Sequence, residues 1–76
     1  MPRIRPIHWK KFDKFLLFVG CLLKREKGDH RIYQREGLKR PVIVPKEIAL
    51  PIFIIRNNLR TLNISPEEYL DILKRL

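Results

Sequence analysis

Apolar residues recur along this 76-residue chain with two different periods, and each change of period marks a new element. Between residues 8 and 19, Trp9, Phe12, Leu16 and Val19 fall at i, i+3, i+7 and i+10, and Phe15 widens the stripe. That is the spacing of one helix face. Lys10, Lys11 and Lys14 lie mostly off it. Gly20 follows, and glycine accepts the left-handed conformation that ends helices. Residues 21–27 and 30–35 read as the arms of a hairpin, because Gly28-Asp29 between them is a two-residue turn signal. Such a turn pairs Lys27 with His30, Glu26 with Arg31 and Arg25 with Ile32. Period-two geometry then places Leu23, Arg25, Lys27, His30, Ile32 and Gln34 on one face, and Leu22, Lys24, Glu26, Arg31, Tyr33 and Arg35 on the other. A slip of one residue would exchange the faces.

Glu36-Gly37-Leu38-Lys39 is a second turn, and residues 40–44 form a short third strand. Pro41 lacks a donor and belongs at that strand's start or on an edge. Residues 45–50 are a loop. Pro51 suits the first position of a second helix, whose stripe is Ile52, Ile55, Leu59 and Leu62 and whose end is Asn63. Ser65-Pro66-Glu67-Glu68 opens a third helix, with Ser65 as cap, Pro66 at the first helical position and Glu68 three residues beyond the cap. Ile64 and Tyr69 are spaced to staple that entry, and Tyr69, Leu70, Leu73 and Leu76 carry its apolar side. Residues 1–7 hold two prolines and two arginines and read as a loose lead-in. The order predicts an α+β fold in one domain spanning 1–76: a two-layer sandwich, α-β-β-β-α with a short third helix, on an antiparallel three-stranded sheet.

Charge adds a class of partner. Seventeen Lys+Arg against eight Asp+Glu give a net charge of +9. Such an excess attracts nucleic acid, anionic membrane or acidic protein, the plainer alternative being a merely soluble basic surface. A chain of this length builds one small core and no deep enclosed pocket, which favours a large substrate over a small metabolite. The single cysteine, Cys21, permits no intramolecular disulfide, fits a reducing compartment and reads as a small buried hydrophobe. The apolar run Phe15–Val19 is shorter than the roughly 7–15 residues of a signal-peptide core, and no segment approaches a membrane span. A cytoplasmic protein without a membrane partner is expected. His8 and His30 are far apart and the carboxylates are scattered, so no metal or other cofactor is expected.

The run Lys24-Arg25-Glu26-Lys27-Gly28-Asp29-His30-Arg31 carries the candidate chemistry. It sets an imidazole at the exit of a tight turn, and histidine is the side chain suited to moving a proton near neutral pH. RNA brings its own nucleophile, the 2′-hydroxyl, so a base or acid and a few cations suffice. His30 is the candidate catalyst. Lys24, Arg25, Lys27 and Arg31 are candidates for holding a phosphate and stabilising its developing charge, and Lys10, Lys11 and Lys14 would extend the basic track. Judged alone, a turn histidine is more often a solvated surface residue. Tyr33 either stacks a base or packs, with packing favoured. Arg56 and Arg60 share a helix face that is read as solvated, and His8 as a surface residue with no evident partner.

Four landmarks occur in order: Gly20 after the first helix, Arg25-Glu26-Lys27-Gly28-Asp29-His30, the strand Pro41-Val42-Ile43-Val44-Pro45, and Ile55-Arg56-Asn57-Asn58-Leu59-Arg60. From Trp9 to Leu73 the chain resembles the HicA toxin family. The resemblance implies a fold like the double-stranded-RNA-binding domain, metal-independent cleavage of mRNA, a catalytic histidine that falls on His30, and a HicB-like antitoxin as partner. The chain departs from the family at Asp29, where serine is usual. Aspartate still fits the turn but would repel a phosphate. Two other functions stay open on the residues alone: a non-catalytic RNA-binding module, and an adaptor for an acidic protein.

Overall fold

In the computed structural model, which describes residues 3–76, helix α1 (Trp9–Phe18) begins at His8. The His8 backbone is extended, and its Nδ1 accepts the Lys10 N–H at 3.1 Å. His8 is therefore a helix cap, not the unpartnered residue expected. Gly20, at φ +92°, turns the chain out of the helix.

Strands β1 (Leu22–Lys27), β2 (His30–Gln34) and β3 (Val42–Pro45) form one antiparallel sheet in the order β1-β2-β3. Gly28 (φ +59°) alone in the first turn has positive φ, the sign pattern of a type II′ hairpin. Near the turn the register is the predicted one: Lys27 faces His30, Glu26 faces Arg31 and Arg25 faces Ile32. Beyond Arg25 a bulge intervenes, so that Leu23 faces Tyr33 and Leu22 faces Gln34. The extra residue exchanges the two leucines relative to expectation: Leu22 joins the His30 face and Leu23 the Tyr33 face. The third strand is shifted toward the C-terminus of the expected 40–44, starting only after Pro41 and ending with Pro45 opposite His30.

Helices cover one face of this sheet. Tyr33, Val42 and Val44 are buried there against Phe12, Phe15 and Leu16 of α1 and Tyr69 of α3 (Pro66–Arg75). Phe15 and Tyr69 meet edge to face at 4.8 Å, the favoured geometry for an aromatic pair. The Tyr69 hydroxyl is buried without a partner among the described residues, and burial raises its pKa. Helix α2 (Ile52–Leu62) buries Ile55, Asn58, Leu59 and Leu62. Asn58 thus takes the place expected for Ile52, which is partly exposed. Pro51 precedes the helix as its cap residue, and Asn63 closes it in the left-handed conformation (φ 57°). Ser65 Oγ accepts the Glu68 N–H at 3.1 Å, as the capping pattern predicted. Helix α3 is as long as α1, not short, and buries Ile72 where Leu76 was expected. Nor is the lead-in loose. Ile4 is in the core, and Ile7 accepts the Leu50 N–H at 2.7 Å in an isolated bridge. Met1 and Pro2 lie outside the described residues.

Candidate nucleic-acid interface

Alternation along β2 divides the charged run between two faces. His30, Ile32 and Gln34 point one way, together with their cross-strand partners Lys27, Arg25 and Leu22 on β1 and Pro45 and Ile43 on β3. Among the described residues no helix lies over this face. His30, Arg25, Lys27 and Leu22 are exposed, and Ile43 is 45% exposed. The type II′ turn puts His30 at the first position of β2, directly across from Lys27. An imidazole and two cations therefore share an open surface that an extended polyanion can reach.

Arg31 lies on the opposite face and is already engaged. Its Nε donates to the Tyr33 hydroxyl at 2.9 Å, Nη1 pairs with Glu26, and Nη2 reaches Asp13 of α1 at 3.4 Å. Tyr33 donates its own hydroxyl to Asp13. The Arg31 guanidinium also lies 5.1 Å from the Trp9 ring, as a cation over an aromatic face. These contacts, the Tyr33 hydrogen bond foremost, raise the Arg31 pKa against the opposing effect of burial. Glu26 is held by Lys46 at 2.9 Å as well, and that hydrogen bond is the main cause lowering its pKa. Arg31 ties the hairpin to α1 and does not stand beside His30.

The other expected phosphate contacts are dispersed. Lys24 sits in the bulged stretch of β1 and is exposed. Lys10 and Lys14 are exposed on α1, in the helical layer, with Lys10 5.9 Å from the Trp9 ring. Only Arg25 and Lys27 share the His30 face. Two groups near the site were missing from the sequence reading. Lys46 closes the hairpin tip by donating its N–H to the Asp29 carbonyl at 2.7 Å. Asn58 donates its amide to the Ile43 carbonyl at 3.2 Å, fixing α2 against β3. Lys46 gives no local signal because it lies in a loop, and Asn58 stands in the sequence only within the landmark Ile55–Arg60, with nothing to announce its contact with β3. Where α2 meets the open face, His30, Ile43, Pro45, Ile54, Asn57 and Asn58 line a shallow groove of about 270 Å³.

Cys21 is fully buried, and burial raises its thiol pKa against the opposing charge of Arg35. Tyr33 is also fully buried, so it packs rather than stacks. Among the described residues no three His, Cys, Asp or Glu side chains gather as metal ligands, and no helix is long and apolar enough to cross a membrane.

Helices behind a three-stranded antiparallel sheet, in the order α-β-β-β-α-α, make an α+β fold compatible with the double-stranded-RNA-binding type. The family model for the HicA toxin of bacterial toxin–antitoxin pairs matches residues 9–64, from the first residue of α1 to just past α2. The chain belongs to that family and is the toxin member of such a pair. No curated protein and no solved structure matches it.

Proposed function

We propose that this toxin is a metal-independent endoribonuclease that cleaves mRNA in the cytoplasm and uses His30 as its catalytic residue. The observation that carries this is the placement of His30: exposed, across from Lys27, on the one sheet face that no helix covers. RNA lying across that face brings a 2′-hydroxyl and its phosphate to the imidazole. His30 takes the hydroxyl proton or gives one to the leaving 5′-oxygen, a contribution of roughly 10²–10⁴ in rate. Arg25 and Lys27 bind the phosphate and offset the charge that grows on its oxygens. A HicB-like antitoxin with an acidic surface would cover the same face and block binding and cleavage together.

Purified toxin should degrade single-stranded mRNA in EDTA, and His30→Ala should abolish this while melting as the parent does. Cutting by the variant at the parental rate would remove His30 from the chemistry. One feature favours a second reading, an RNA-binding module without cleavage: the exposed Asp29 beside His30 sets a negative charge where the family usually has serine. That reading requires salt-sensitive RNA binding with no cleavage by the antitoxin-free protein.

A further inference from the structure

The groove beside His30 has features that phosphate binding alone does not use. Its walls are Ile43 and Pro45 from β3 and Ile54 from α2, with two asparagine amides at the side. Ile43 is a branched aliphatic side chain exposed on the candidate RNA-binding face. The volume of about 270 Å³ falls below the 300–1,000 Å³ or so of pockets that enclose whole small molecules. That leaves room for part of a ligand and not for a whole one.

The two asparagines have different duties. Asn58 is 8% exposed and spends its amide nitrogen on the Ile43 carbonyl, so it holds the wall in place. Asn57 is exposed, and its Oδ1 accepts from Arg60 Nη1 at 3.2 Å. Its amide nitrogen has no side-chain partner among the described residues. An N–H donor is thereby presented at the rim of an apolar slot beside a histidine. A nucleobase matches that chemistry, having an apolar face and an edge that carries hydrogen-bond acceptors. The net charge of +9 favours the polyanion to which such a base is attached.

We propose that this groove is a subsite for a single RNA nucleobase, that of a nucleotide flanking the phosphate at His30, and that Asn57 reads its edge. The inference rests on the ribonuclease reading of His30 and adds a specificity-determining residue to it. Ile43, Pro45 and Ile54 sandwich the ring, and Asn57 selects an edge with an acceptor in reach. Asn57→Ala removes the reader, and Asn57→Asp turns a donor into an acceptor.

The test has two arms, both on the full chain. In the first, the toxin and both Asn57 variants digest a randomised RNA pool, and the product ends are sequenced. The parent should show a preference of about tenfold at one position flanking the cut. Asn57→Ala should flatten it, and Asn57→Asp should shift it toward bases that offer a donor. In the second, oligonucleotides made uncleavable by 2′-deoxy substitution are titrated into the toxin while NMR follows the Asn57 side-chain amide and the Ile43 and Ile54 methyl groups. These signals should move, by amounts that depend on the base. An unchanged cleavage profile in both variants, or groove signals that stay still during titration, overturns the base subsite and leaves His30 catalysis standing. If the parent cuts nothing while the groove signals move in a base-dependent way, the ribonuclease reading fails instead and the groove remains a base-binding site.

Discussion

Replacing Tyr33 by phenylalanine would delete one hydroxyl from a fully buried ring and leave its packing in place. That hydroxyl donates to the Asp13 carboxylate and accepts from Arg31 Nε. Bonds to charged partners contribute about 1.5–3 kcal/mol each, but Asp13 and Arg31 keep each other, so the net loss at neutral pH should be about 2 kcal/mol. For a domain of this size that lowers the melting temperature by about 8–16 °C. The pH dependence is more diagnostic. Burial, first, and the Asp13 carboxylate push the Tyr33 pKa from an ordinary value near 10 to about 12. A raised pKa means the stabilisation is complete below pH 10, where folded and unfolded chains both hold the proton. Above pH 10 the unfolded chain ionises first, and the contribution falls away as pH rises through 12. Linkage gives a loss of about 1.4 kcal/mol by pH 11 and about 2.3 kcal/mol by pH 12. The stability gap between parent and Tyr33→Phe should therefore close near pH 12. Tyr69 titrates in both proteins and cancels. Urea titrations followed by circular dichroism at pH 8, 10, 11 and 12 read the gap directly. A gap that is constant from pH 8 to 12 would refute the part-buried Asp13–Tyr33–Arg31 triad. RNA cleavage at 25 °C should be unaffected, since Tyr33 and His30 lie on opposite faces.

The division of cations between faces is open to a paired measurement of RNA affinity against salt. Lys27→Ala should flatten the slope of log K against log salt by about 0.7, the share of one phosphate contact on a single strand. Arg31→Ala should leave that slope intact while lowering the melting temperature, and an equal loss of slope in both variants would show that Arg31 reaches RNA. Ser65→Ala should cost about 1 kcal/mol through loss of the α3 cap, seen as a lower urea midpoint. No change there would mean that the third helix does not depend on its cap.

Features fixed by neighbours in sequence were legible before any coordinates. Gly28-Asp29 gave the turn and the register closest to it, Ser65 to Glu68 gave the entry of α3, and the period-3.6 stripe gave Phe12, Phe15 and Leu16 of the core. Features fixed by contacts across the fold were not. Asp13 is twenty residues from Tyr33, and nothing near either one announces the other. Strand alternation already puts Arg31 on the face opposite His30, but nothing in the sequence shows that Asp13 and Tyr33 hold its guanidinium there. The bulge escaped because Leu22 and Leu23 are both apolar, so the sequence does not distinguish which one turns toward the core. Ile4 and Ile7 sat between prolines and arginines, with no period to declare their burial.

The two edges of the sheet are treated differently. Asn58 ties β3 to α2, whereas β1 is exposed along its whole length and, among the described residues, has no strand on its outer side. A bare edge of this kind invites another chain to add a strand. The irregularity before Arg25 breaks the regular row of donors and acceptors, and Lys24, Arg25 and Lys27 repel the same segment of an identical molecule. A toxin released from its antitoxin is thus protected against ribbon-like self-association by the very segment that carries the proposed phosphate contacts.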